Sequence, residues 1–152
     1  MHIVLYNPEI PQNTGNIART CAVTGTTLHL IKPLGFTVSD RYLKRAGLDY
    51  WQYVSVNYWD DINQLRQTYP NNRFYFLSVR GQRQYHTVRY GETDFLVFGS
   101  ETKGLPAKIL RSSWGECIRI PMRAGLRSLN LSNAAALVLY EALRQLDFPE
   151  FV

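Results

Sequence analysis

The chain has 152 residues, of which 45% are hydrophobic and 19% charged, and carries a formal net charge of +5. That length fits one compact domain, residues 1–152, with a sizeable core, and the composition is that of an ordinary globular protein, not a disordered one. The basic excess favours anionic partners such as nucleic acid or a membrane surface, while no stretch approaches the roughly 20 apolar residues that span a bilayer.

The two cysteines, Cys21 and Cys117, lie far apart and no CxxC or HxxxH spacing accompanies them, so neither a disulfide framework nor a metal set is expected. Each reads as a small apolar residue in a reduced interior. The opening run Met1–Tyr6 is too short for a signal peptide and lacks its basic start. The expected location is cytoplasmic.

In chain order, short β-rich runs alternate with helical patterns. Strands are expected over His2 to Tyr6, Thr27 to Ile31, Tyr53 to Val56, Arg73 to Ser78, Phe95 to Phe98 and Cys117 to Ile120. Helices are expected over Thr14 to Thr24, closed by Gly25; Asp40 to Ala46, closed by Gly47; and Asp61 to Tyr69, stopped by Pro70. Ser39 and Asp60 are candidate N-caps. The last helix has the clearest signature. Leu131, Ala134, Ala135, Val138, Leu139, Ala142, Leu143 and Leu146 form a helical apolar stripe that fits a core or subunit contact. Such alternation makes an α/β fold, a mostly parallel sheet flanked by helices, with ligands at the carboxyl ends of the strands.

Three strand-following loops therefore carry the chemical interest. The first runs from Asn7 through Asn13, Thr14 and Asn16 to Arg19, with Pro8 and Pro11 stiffening the approach to a helix. Its polar side chains can meet exposed helix N–H groups. Equally, Asn13 can be a simple cap and Arg19 a surface charge. The second, Gly99-Ser100-Glu101-Thr102-Lys103-Gly104-Leu105-Pro106, follows an apolar strand, and its glycines permit close backbone approach to a ligand. Leu105 and Pro106 stand where a phosphate-binding loop needs Lys and Ser/Thr, and no GxGxxG follows any strand, which argues against both nucleotide motifs. A loop that merely turns is the alternative. In the third, Ile120-Pro121-Met122-Arg123-Ala124-Gly125-Leu126-Arg127 leads to Ser128, Asn130, Ser132 and Asn133, more polar groups than one N-cap uses. The surplus points to a ligand.

Taken together, NTGNIAR, FGSETKGLP and IRIP…SLNLSNA, with GFTVSDRYLKRAGLDY between the first two, resemble the motifs of the SPOUT, or α/β-knot, methyltransferases. Within that family the pattern is similar to minimal bacterial tRNA enzymes that act on the wobble nucleotide, cytidine or modified uridine, of leucine tRNAs and carry no separate RNA-binding domain. The resemblance implies a C-terminal deep trefoil knot, an exception to the avoidance of threaded chains, and S-adenosyl-L-methionine as cofactor. By motif position Leu77, Gly99, Gly104, Ile120, Ser128 and Leu129 would line the cofactor pocket. Arg19, Asn13, Glu101, Ser128 and Asn130 match the positions used at the catalytic centre.

The implied reaction is an in-line methyl transfer from a sulfonium to a ribose hydroxyl, for which no metal is required. A guanidinium normally keeps its proton, so Arg19 is expected to stabilise developing alkoxide charge first and to act as a base second. A catalytically silent RNA-binding module on the same fold would be favoured by loss of Arg19, which is present. A homodimer is expected, in which Arg41, Lys44 and Arg45 of one subunit approach the cofactor loop of the other, and Arg123 and Arg127 extend the tRNA-binding surface. The last helix with Tyr140, Phe148 and Phe151 would supply the contact. His2, His29 and His86 are expected to be dispensable for the chemistry.

Overall fold

The computed structural model describes residues 1–37, 49–126, 128–149 and 151–152. The expected helix from Asp40 to Ala46, with Ser39 as its cap, lies outside the described residues. In chain order the elements are β1 (His2–Tyr6), α1 (Pro11–Thr24), β2 (Thr27–Ile31), a short helical turn α2 (Asp49–Trp51), β3 (Val56–Trp59), α3 (Ile62–Thr68), β4 (Phe74–Leu77), β5 (Arg83–Gln84), a 3-10 turn (Tyr85–Thr87), β6 (Phe95–Phe98), α4 (Ala107–Leu110), β7 (Glu116–Arg119) and α5 (Leu131–Gln145). The strands form one seven-stranded sheet in the order β3-β2-β1-β6-β4-β7-β5. Every pairing is parallel.

A sheet covered on both faces needs apolar side chains at odd and even positions alike. β1 supplies Ile3 and Leu5 to one face and Val4 to the other. β6 does the same with Leu96 and Phe98 against Phe95 and Val97. The first face is covered by α1, through Ile17, Ala18 and Cys21, and by α5, through Ala135, Val138, Leu139, Ala142 and Leu143. The apolar stripe of the last helix is thus consumed by the chain's own core. The second face is covered by Ile62 and Leu65 of α3 and by Leu105 and Ile109 around α4.

Several boundaries differ from the expected ones: α1 starts at Pro11 rather than Thr14, α3 and β4 are each trimmed at both ends to Ile62–Thr68 and Phe74–Leu77, and β7 lies one residue earlier at Glu116–Arg119. Two further differences have a visible cause. The third strand starts at Val56 rather than Tyr53, because the N–H groups of Tyr53 and Val54 turn back onto the carbonyls of Tyr50 and Trp51. The cap of α3 is Asp61, not Asp60: its carboxylate accepts the N–H groups of Asn63 and Gln64, two and three residues on, at 2.6 and 3.1 Å. That is the reach an N-cap requires. Asp60 instead pairs with Lys32 at 3.0 Å.

The shift of β3 places Trp59 beside a histidine pair, His29 buried and His2 half-buried. Trp59 donates Nε1–H to Nδ1 of His29 at 3.0 Å. Indole is a donor only, so the proton of neutral His29 sits on Nε2 and points at Nδ1 of His2, 3.0 Å away. Phe95 stacks on His2, and Tyr69 packs against both imidazoles. Burial pushes His29 down to about 3, with His2 adding a smaller repulsion, and burial with the nearby N-terminal ammonium pushes His2 down to about 4. Both rings are accordingly packed in the neutral form.

A lowered histidine pKa means that the unfolded chain binds protons before the folded one does. The contribution of the pair is complete above about 6.5 and is lost as pH falls from there toward about 4 for His2 and about 3 for His29. The thermal midpoint is therefore expected to drop steeply over that window, and His29→Gln to flatten the drop. Calorimetric melting of both proteins across the window checks this; parallel curves would contradict it.

Candidate active site

In an open parallel sheet a crevice forms at the carboxyl ends of the strands where the strand order reverses. Here β1 and β6 are neighbours at that point, β2 and β3 lying to one side and β4 and β7 to the other. The loops that leave β1, β4, β6 and β7 converge there around a cavity of about 530 Å³. That falls within the range of about 300–1,000 Å³ typical of small-molecule sites. Leu77, Ile120, Met122, Leu129 and Ala134 supply apolar walls, and Asn13, Glu101, Thr102, Ser128 and Asn130 the polar groups. Leu129 and Met122 are 43% and 36% exposed, apolar side chains held open at the mouth.

All six expected cofactor-pocket residues, Leu77, Gly99, Gly104, Ile120, Ser128 and Leu129, line this cavity. So do Asn13, Glu101, Ser128 and Asn130 of the expected catalytic set. Arg19 does not: it is exposed on α1, with its guanidinium 4.7 Å from the ring centroid of Tyr50. Six residues separate it from Asn13, and at 3.6 residues per turn that places it about 120° around the helix. Arg123 is exposed in the β7–α5 loop. Arg41, Lys44, Arg45 and Arg127 lie outside the described residues. Two exposed cations not singled out by sequence, Arg80 and Lys103, stand at the cavity.

The polar side of the site is one hydrogen-bonded chain. Helix α1 begins at Pro11, its N-cap position is Ile10, and no side chain of that residue can satisfy its first N–H groups. Glu101 does so from the β6 loop. Its Oε2 accepts the N–H of Glu9 at 2.8 Å, and its Oε1 accepts the N–H of Ile10 at 3.2 Å and Nδ2 of Asn13 at 3.0 Å. Asn13 passes the connection on, because its Oδ1 accepts Nδ2 of Asn130 at 2.9 Å. Asn130 then caps α5, with Oδ1 accepting the N–H groups of Ser132 and Asn133 and the Ser132 hydroxyl. Thus Asn13 is no ordinary cap of its own helix; it is a buried link between two others.

Sequence pattern alone did not single out Glu9 or Thr102, whose contact closes the same loops. The Glu101 cap of α1 has only a negative sequence signal, an isoleucine followed by proline at a helix start, which leaves the cap to come from elsewhere.

The two glycines that line the cavity also shape the loop itself. A Cβ on Gly99 would lie 2.1 Å from the carbonyl carbon of Gly104 and 2.2 Å from the nitrogen of Leu105. The β6 loop folds back on itself there, with the Gly104 N–H donating to the Ser100 carbonyl at 2.9 Å. Gly104 has open space around it but a left-handed backbone, φ +66°. Both glycines build the loop, and the cavity follows from it.

The SpoU rRNA Methylase family matches residues 1–140. The chain belongs to that family. A tRNA (cytidine(34)-2'-O)-methyltransferase of Saccharophagus degradans is 52% identical over 151 residues, 97% of this chain and 96% of its own. A solved structure described for the 2-OH methylation of C/U34 on tRNA superposes with a TM-score of 0.91 at 46% identity, covering 96% of this chain and 95% of that one. An AdoMet-bound rRNA methyltransferase from Sinorhizobium meliloti gives a TM-score of 0.85 at 26% identity, over 95% of this chain and 56% of that one. Among the described residues there is no cluster of three or more His, Cys, Asp or Glu suited to a metal, and no helix long and apolar enough to cross a membrane.

Because Gly99 is pressed against backbone, Gly99→Val is expected to disorder the loop rather than merely narrow a pocket. Calorimetry with S-adenosylhomocysteine should find binding lost, together with a lower melting temperature. Gly104→Asn should keep most binding, since asparagine tolerates the left-handed region. Equal damage from the two substitutions would contradict this account.

Proposed function

We propose that this protein is an S-adenosyl-L-methionine-dependent tRNA 2′-O-methyltransferase that modifies the wobble nucleotide, cytidine or modified uridine, of leucine tRNAs. The observation that carries the reading is the cofactor-sized cavity whose apolar walls meet the Glu101–Asn13–Asn130 chain at the carboxyl ends of β4, β6 and β7. The lining fits the cofactor's chemistry: Leu77, Ile120 and Leu129 suit a flat purine, and Ser128, Asn130 and nearby loop backbone suit ribose hydroxyls and the amino-acid end. When bound, that cofactor supplies a methyl group on a sulfonium, already strongly electrophilic. The family resemblance and the insertion of β6 between β1 and β4 support a trefoil knot in the C-terminal part.

The chain's own residues then have to prepare the ribose. Asn130 and Ser128 orient the reactants, an alignment that contributes several kcal/mol to lowering the barrier. Glu101 accepts three hydrogen bonds and serves to hold Asn13 and the α1 end. Arg19 stabilises the developing alkoxide. It faces away from its own chain's cavity, so it would act in a site shared between two subunits. Leu137, Tyr140, Phe148 and Phe151, each 37–43% exposed, offer an apolar contact for a two-fold homodimer. Arg80 and Lys103 at the cavity mouth, with Arg123 nearby, suit tRNA phosphates.

Transfer of labelled methyl from the cofactor to leucine tRNA, with the product mapped by nucleotide, tests the reading. The wild-type protein should label the wobble ribose, and label elsewhere or none would refute it. Arg19→Ala should reduce turnover by about 10²–10³, the typical loss of one transition-state donor, while cofactor affinity stays unchanged because Arg19 does not line the cavity. Sedimentation at assay concentration should give a dimer. A fully active monomer would refute the shared site.

A further inference from the structure

Glu9 lies at the junction of three loops. From below it is braced by the segment after β2: Gly35 donates its N–H to the Pro8 carbonyl at 2.9 Å, and a Cβ on Gly35 would sit 2.8 Å from Cα of Glu9. Asn7 ties the same turn down, Nδ2 donating to the carbonyls of Ile31 and Pro33 at 3.4 and 3.3 Å. The side chain of Glu9 crosses to the β6 loop. It accepts the N–H of Thr102 at 3.1 Å and the Thr102 hydroxyl at 2.8 Å. In return the carboxylate of the neighbouring Glu101 accepts the N–H groups of Glu9 and Ile10.

The two loops therefore hold each other reciprocally, each giving a carboxylate to the other's backbone. Two opposed sets of bonds resist a hinge motion that either set alone would permit. Bonds to ionised acceptors are also the stronger kind. We propose that Glu9 is a positioning residue for methyl transfer: through Thr102 it fixes the β6 loop, so that Glu101 holds Asn13 and, through it, Asn130 in reacting orientation. This rests on the reading of the site as a methyltransferase, and its effect is on geometry, since Glu9 does not line the cavity.

The test compares Glu9→Ala, Glu9→Gln and Thr102→Val for kcat and KM with tRNA, and for amide hydrogen exchange across 99–104. A glutamine carbonyl can still accept both donors of Thr102, so Glu9→Gln should stay close to wild type. Glu9→Ala should lower kcat by about tenfold, the scale of one lost hydrogen bond to a charged group, with KM for tRNA little changed. Thr102→Val should lose less, and combining it with Glu9→Ala should add nothing further, as for residues acting through one contact. Faster exchange over 99–104 in Glu9→Ala should accompany the loss. Wild-type kcat in Glu9→Ala, failure of glutamine to rescue, or fully additive losses would overturn the proposal. Should the wild-type protein not methylate tRNA, the functional reading fails by itself. The exchange measurement then still decides the clasp, unchanged exchange in Glu9→Ala refuting it.

Discussion

The arrangement depends on one acceptor-only group. A carboxylate can only receive hydrogen bonds, so Glu101 forces Asn13 to turn its amide nitrogen toward it and its oxygen toward Asn130. Asn130 must then give its nitrogen to Asn13, which leaves its oxygen to cap α5. One charge thus sets the orientation of two amides and closes the starts of two helices. The same negative charge sits favourably at the positive end of α1, whose first turn holds no acidic residue of its own.

Why the charge lies there is a property of the sheet. β1 and β6 are adjacent and parallel, with Leu5 paired to Phe98, so the residues after each strand emerge side by side. Continuous burial of both strands makes that register costly to change, because a slip by one residue would exchange the side chains of the two faces. The site therefore inherits its precision from a packed core. The β6 loop then has to turn sharply to bring Glu101 back onto α1, and Gly99 and Gly104 make the turn possible. The residues that look most like ligand contacts are in part the framework that holds the contacts.

Much of this was legible from sequence wherever a local pattern decides structure. β1, β2 and β6 keep the bounds expected of them, since each is an apolar run stopped by polar or turn residues. The stripe of α5 correctly marks a buried face. Of the polar surplus before α5, Ser128 and Asn130 line the cavity, while the N–H groups of Ser132 and Asn133 are taken up by the Asn130 cap. What eluded pattern is long-range. The two-residue β5 has no periodicity to detect. Tyr53 has strand propensity, yet local turn bonds claim its backbone. The cap of α1 comes from a residue 91 positions away, and the Glu9–Thr102 contact spans 93. Arg19 shows the converse limit: nearness along a helix did not put it on the face that meets the cavity.

The central claim is that Glu101 organises both helix starts, and amide hydrogen exchange in Glu101→Gln tests it most directly. An amide there places a donor group against the backbone donors of Glu9 and Ile10. The account predicts faster exchange at Glu9 and Ile10, and also at Ser132 and Asn133, which Glu101 reaches only through Asn13 and Asn130. Faster exchange confined to Glu9 and Ile10, with Ser132 and Asn133 protected as in the wild-type protein, would contradict it.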